Sequence, residues 1–318
     1  MRLLLVDGHY YAYRSFYAIR SLSNSKGEPT NALYGLTKTL KRMNAELKPD
    51  LAAFVLDGGL PEARLEQQPD YKANRSETPP DLLLQFPLLG DVASSLGHVP
   101  ICVEGEEADD LLASYAREAS RRGIEVILAT NDKDLMQLVG DGGNGTGSVR
   151  VYQPVTGGEG FALLDAAAVT EKWGVPPGRI GDLLTLTGDA VDNIPGVPGV
   201  GPKTAAALLK EHGALDALLA VLASEPGKIK SEKLRAALLA AVESGHLARN
   251  RIMVSLRDAL PLPVPVADLA FRPDAEQQSA LFAALEFRTF QREAEALLSG
   301  ALTPPPPPPT PLVQGDLL

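Results

Sequence analysis

Cysteine is nearly missing from this chain of 318 residues. Cys102 is the only one, which excludes an internal disulfide and a thiolate zinc cluster, and its place in the apolar run His98 to Val103 predicts a buried bystander. No apolar run approaches the ~20 residues that span a bilayer, and the chain enters its first apolar segment behind a single Arg2 with no cleavage-site pattern. These absences predict a cytoplasmic protein with no membrane partner. Basic residues are also scarce: 30 Lys and Arg against 40 Asp and Glu leave a formal net charge of −10, which over the whole chain opposes a polyanionic partner. Apolar residues are plentiful. At 45% of the chain they suffice for one large domain or two smaller ones.

Three apolar runs share one feature. Arg2 to Asp7, Leu51 to Asp57 and Ile124 to Asp132 are each short, continuous and strand-like, and each ends on an aspartate. Helical periodicity lies between them, over Asn31 to Leu47, Leu82 to Leu96 and 107 to 122, with a further short strand at His98 to Val103. Alternating strands and helices predict a doubly wound, mostly parallel sheet, whose sites form at the carboxyl ends of the strands. Asp7, Asp57 and Asp132 are therefore expected on one edge. A lone terminal aspartate is usually a cap or turn residue; three of them make a site.

The stretch Glu104-Gly105-Glu106-Glu107-Ala108-Asp109-Asp110 follows a strand and should reach the same edge. Helix starts attract carboxylates, which accounts for Glu104 and Glu106. Glu107, Asp109 and Asp110 together would repel one another, and a divalent cation is the economical counter-charge. Oxygen-only ligands suit magnesium or manganese. Asp189 and Asp192 add two carboxylates three residues apart, on a short helix face or tight turn.

Two glycine-rich stretches lack the Lys-Ser/Thr ending of a phosphate loop. Asp141 to Gly147 reads as a hairpin loop. Ile194 to Ala205 has Pro202 before Lys203 and no strand leading in, which excludes ATP binding; a glycine-rich hairpin between helices, with backbone N–H groups and Lys203 outward, suits a phosphodiester backbone. Pro304 to Pro309 predict an extended spacer leading to Gln314-Gly315-Asp316-Leu317-Leu318.

Six signatures in order make the chain resemble the 5′-nuclease family, which comprises the front domain of bacterial DNA polymerase I, its stand-alone bacterial relatives and the flap endonucleases. They are L-V-D-G-H-Y-Y-A-Y-R (5 to 14), the Asp57 strand end, Y-K-A-N-R (71 to 75), E-A-D-D (107 to 110), T-N-D-K-D (130 to 134) and T-G-D-A-V-D-N-I-P-G-V-P-G-V-G-P-K-T-A (187 to 205). The resemblance implies a PIN-like nuclease core over 1 to 182, a helical arch at about 58 to 80, a helical duplex-binding region with a helix-hairpin-helix-type motif over 183 to 298, and a disordered proline-rich tail over 299 to 318. The implied activity is divalent-metal-dependent hydrolysis at 5′ flaps, nicks or gaps, in replication and repair, by a monomer. Asp7, Asp57, Glu107 and Asp109 match ligands of a first metal; Asp110, Asp132, Asp134, Asp189 and Asp192 match those serving a second. Tyr13 matches a base-stacking aromatic, Arg14 a phosphate contact, and Lys72 and Arg75 lie in the arch. Gly196, Gly199, Gly201, Lys203 and Thr204 belong to the duplex-gripping hairpin, with potassium as its expected ion. The tail resembles a sliding-clamp peptide through Gln314, Asp316, Leu317 and Leu318. Val191, Asn131 and Gly58-Gly59-Leu60 depart from the family pattern without removing a ligand. Two other readings are the excised front of a DNA polymerase I and a non-catalytic DNA-structure-binding scaffold.

The nine acidic site residues supply nine negative charges of the net −10. The remaining surface is near neutral, and basic residues can meet phosphates locally.

Overall fold

Leu3, Leu4, Leu5 and Val6 have no solvent exposure, as a strand covered on both faces requires. They form β1 (Arg2–Asp7), the centre of a six-stranded sheet in a computed structural model that describes residues 1–155 and 160–301. With β2 (Leu51–Leu56), β3 (Val99–Cys102), β4 (Glu125–Ala129), β5 (Val149–Pro154) and β6 (Phe161–Leu164), the order is β3-β2-β1-β4-β5-β6. All pairs are parallel except β5 with β6. The chain runs outward one way through β2 and β3 and the other way from β4, so the gap between β1 and β4 is the topological switch where ligands bind.

Strand alternation assigns each apolar run to two cores. Leu3, Leu5 and Leu128 face the core containing α6 (Ala108–Arg121), whereas Leu4, Val6 and Ala129 face the core containing α1 (Gly8–Ala18) and α2 (Asn31–Leu47). Between β2 and β3 lie α3 (Glu62–Gln67), α4 (Pro80–Leu83) and α5 (Leu89–Ser95). The helix expected over Leu82 to Leu96 is thus broken. Pro87 has no N–H to continue the ladder, and a 3-10 turn at Phe86–Leu88 intervenes. Cys102 also departs from expectation: it is exposed, because β3 is an edge strand and Cys102 points away from its one buried face.

After α7 (Ala166–Trp173) the structure is mainly helical: α8 (Ile180–Thr187), α9 (Pro202–His212), α10 (Leu215–Ser224), α11 (Glu232–Glu243) and α12 (His246–Val254). The two-residue strands β7 (Gly188–Asp189) and β8 (Ile194–Pro195) pinch the segment between α8 and α9 into a hairpin. The helical region does not stay apart from the sheet. Leu269 O accepts from Ala52 N at 2.8 Å, and Phe271 N donates to Asp50 O at 2.9 Å. The last helices, α13 (Ala275–Ala284) and α14 (Arg288–Leu298), then bury Phe282, Phe287 and Phe290 against Leu33, Leu36 and Tyr34 of α2. Among the described residues no helix is long and apolar enough to cross a membrane. Gln314, Asp316, Leu317 and Leu318 lie outside the described residues.

Candidate active site

Asp7 ends β1 and caps α1. Its Oδ1 accepts from Tyr10 N at 3.0 Å and its Oδ2 from Thr130 Oγ1 at 2.9 Å, so β1 and the chain leaving β4 meet on one carboxylate. Asp57, one residue past β2, plays the same part for α6. Its Oδ1 accepts from Ala108 N at 2.9 Å, and its Oδ2 lies 3.2 Å from His9 Nδ1. Thr130 Oγ1 also accepts from Asp132 N at 3.0 Å. The three strand-end aspartates therefore do share one edge.

α6 begins at Ala108 with Glu107 as its cap residue. Glu107 is 1% exposed, and its Oε1 accepts from Tyr71 OH at 3.1 Å and Lys72 Nζ at 2.5 Å, while Oε2 pairs with Arg64. The Asp109 carboxylate has no hydrogen-bond or ion-pair partner among the described residues. Burial, then the charges of Asp132 and Asp7, push it well above the usual carboxylate range. Asp110 is different. It is fully buried and turned onto Arg64 Nη2 at 2.9 Å, Arg257 N at 3.0 Å and Arg257 Nε at 3.1 Å. Adjacent helical positions point in different directions, so Asp110 meets two guanidinium groups while its neighbour Asp109 meets none. Glu106 lies before the helix and pairs with Arg257, so it is an ion-pair residue rather than a helix-start charge.

The second half of the cluster comes from turns. Asp134, Asp189 and Asp192 each offer an oxygen within 4.8 Å of the others'. Asp189 pairs with Lys133 Nζ at 2.6 Å; Asp192 Oδ1 accepts from Arg75 Nη2 at 2.7 Å and Oδ2 from Tyr71 OH at 3.3 Å. Asp134 Oδ1 is buried and has no hydrogen-bond partner. Burial and the neighbouring Asp132 and Asp189 push Asp134 well above the usual range. Burial pushes Asp7 up to about 7, with Asp57 adding to it. Asp57 alone moves down: burial opposes it, but hydrogen bonds from His9 and Ala108 prevail.

A buried orphan oxygen, an unpartnered Asp109 and a donor set of carboxylates fit a hard divalent cation. Asp7, Asp57, Asp109 and Asp132 lie close enough for their charges to act on one another. Asp132 is raised by burial and also by Asp192 and Asp189, which converge with Asp134, and Glu107 joins them through Lys72 and Tyr71.

The segment expected as an arch folds down onto the carboxylates. Lys72 adopts φ +58°, and its N–H donates to Asp192 O at 3.1 Å; Gln68 Nε2 donates to Asn193 O and Asn193 Nδ2 to Asp70 O, both at 2.7 Å. Tyr13 lies beside it, bonded to Thr78 Oγ1, and Arg14 is an exposed neighbour on α1. Gly196, Gly199 and Gly201 lie in the loop between α8 and α9; Lys203 and Thr204 lie in the first turn of α9, with Lys203 exposed. Sequence reasoning missed Tyr71, Lys133, Arg64 and Arg257. Lys133 could have been found between Asp132 and Asp134, but no local signal marks Arg257.

Residues 2–174 match the family model for the 5′-3′ exonuclease N-terminal resolvase-like domain, and residues 175–277 match its C-terminal SAM fold. The chain belongs to the 5′-3′ exonuclease family. Within that family it is 40% identical over 292 residues to thermostable DNA polymerase I of Thermus aquaticus, covering 92% of this chain and 33% of the relative. DNA polymerase I of Bacillus caldotenax is 36% identical over 298 residues, 93% of this chain and 32% of the relative. The chain thus spans about a third of the length of these polymerases. Two solved structures share the fold. Phage T5 5′-exonuclease, solved with zinc ions bound, gives a TM-score of 0.64 at 22% identity, covering 93% of this chain and 98% of that one. The Rad2 catalytic core, solved with DNA substrate, gives 0.60 at 16% identity, covering 93% and 91%. A doubly wound exonuclease core followed by a helical SAM-like fold is therefore established for this chain.

Proposed function

We propose that this member of the exonuclease family cleaves phosphodiesters at 5′ flaps, nicks or gaps in duplex DNA, and in RNA primers, with two bound magnesium or manganese ions. The observation that carries this reading is the two-sided carboxylate cluster, with an orphan oxygen on Asp134 and no hydrogen-bond partner for Asp109 among the described residues. Paired divalent ions, when bound, lower the pKa of a coordinated water and stabilise attacking and leaving oxygens. Asp7, Asp57, Glu107, Asp109 and Asp132 would hold one ion, and Asp134, Asp189 and Asp192 the other, with Asp132 between them.

The chain's own side chains supply the rest. Lys72 and Arg75 neutralise Glu107 and Asp192 in this structure and are placed to transfer their charge to a phosphate once metal satisfies those carboxylates. Tyr13 would stack a terminal base and Arg14 contact its phosphate. The loop with Gly196, Gly199 and Gly201, followed by Lys203 and Thr204, presents backbone N–H groups and an ammonium to the duplex, with potassium as a candidate ion there. A cytoplasmic monomer that also binds the sliding clamp through Gln314, Asp316, Leu317 and Leu318 completes the proposal. A radiolabelled 5′-flap duplex incubated with magnesium should be cut at the junction, and chelator should stop it. Tight binding without cleavage in magnesium or manganese would replace this reading with a non-catalytic scaffold.

A further inference from the structure

The irregular segment between α12 and α13 is bonded repeatedly to α6. Ser114 Oγ donates to Arg257 O at 2.9 Å and accepts from Leu260 N at 3.0 Å; Arg117 Nε donates to Asp258 at 2.7 Å; Tyr115 OH donates to Val264 O at 2.8 Å. At its head Arg257 grips Asp110 through both N and Nε and pairs with Glu106. Arg64, from α3 at the base of the folded-down arch, reaches the same Asp110, Ser255 O at 3.1 Å and the ligand candidate Glu107. Upstream, α12 is fixed to the glycine-rich hairpin and to α8: Asn250 Nδ2 donates to Pro195 O at 2.7 Å and to Thr185 O of α8 at 3.2 Å, and His246 Nε2 lies 2.7 Å from Pro195 O.

We propose that Arg257 is a positioning residue for the metal site, a clasp from the helical region that holds the start of α6 so that Glu107 and Asp109 face the cation. This rests on reading the acidic cluster as a metal site. Glu106 and Asp110 bracket the two candidate ligands in sequence, so fixing the outer pair fixes the rotation of the first turn between them. Without the Arg257 fork, Arg64 alone would balance Asp110, and its grip on Glu107 would loosen. Partners that orient metal ligands typically matter by about 10- to 100-fold in metal affinity.

The test is a manganese titration of the metal-free full chain without DNA, following free Mn2+ by its EPR signal. Wild type should bind, Arg257→Gln should bind about tenfold more weakly, and Arg257→Lys, which keeps charge but loses the fork, should fall between. Asp258→Asn, which cuts the strap one residue further on, should match wild type. Unchanged affinity in a folded Arg257→Gln protein, or an equal loss in Asp258→Asn, would overturn the clasp. Should Arg257→Gln not fold by circular dichroism, Glu106→Gln removes one anchor of the same guanidinium; unchanged affinity there would overturn it equally. Absence of manganese binding by wild type would instead sink the metal reading itself.

Discussion

The sheet edge and the 189–193 turn deliver carboxylates to one site, yet they hold them in opposite ways. Asp7 and Asp57 are fixed by groups that belong to the fold: a strand end, a helix N-terminus and the Thr130 hydroxyl. Asp189 and Asp192 are held mainly by cations, Lys133 on one and Arg75 and Lys72 on the other, with Val191 N also donating to Asp189 Oδ1 at 3.0 Å. The first half is preorganised by backbone hydrogen bonds that persist whatever binds. The second is balanced largely by ammonium and guanidinium groups, which a metal ion can replace as counter-charge.

Removing one ligand from each side makes the largest break. Asp109→Asn and Asp134→Asn should each reduce flap cleavage by at least about 10³-fold. Both should also raise the melting temperature of the metal-free protein, because each removes a buried charge that its neighbours repel. A melting temperature that falls in both variants would contradict the account of unpaired carboxylates. Next comes pH. Asp7 is pushed up to about 7, so the folded state keeps a proton that the unfolded chain releases near pH 4. Its contribution is full below about pH 4 and is lost as pH rises through 7, at about 1.4 kcal/mol per pH unit. Metal-free wild type should lose stability relative to Asp7→Asn over that window, the loss should level off above about pH 7, and saturating magnesium should reverse it. Buried His98, pushed down to about 3, acts in the opposite sense in both proteins and cancels in their difference. Chemical denaturation at stepped pH measures all three. The smallest effect sharpens the turn side. Asn193 sits at φ +61° and bonds Asp70, so Asn193→Ala should cost about 1–2 kcal/mol and raise the magnesium requirement, whereas Asn193→Gly should recover the backbone part. Equal losses in the two variants would show that the side-chain bonds alone hold the turn.

Strand ends were legible because a buried parallel strand writes itself as an unbroken apolar run, as in Leu3 to Val6, and its last residue marks the edge. The hairpin was legible from its glycines and prolines. The surroundings of Asp110 were not legible for a local reason: E-A-D-D shows three acids in four positions, but not that the last turns onto Arg64 and Arg257. Cys102 misled because edge and interior strands look alike over four residues. Tyr71 was within a noted motif, yet its bridge between Glu107 and Asp192 joins residues far apart in the chain.

The sequence by itself determined the order of strands and helices, the family, and the carboxylate inventory, since these depend on local periodicity and on residue types at fixed spacing. Only the tertiary structure decided which basic side chain each carboxylate meets, and that Asp134 keeps a buried oxygen with no partner. It also decided that the last two helices and the 255–264 strap bind back onto the nuclease core. Those outcomes depend on where Arg64 of α3 and Arg257 of the helical region arrive in space, and long-range pairings of buried charge leave no periodic trace in the chain that makes them.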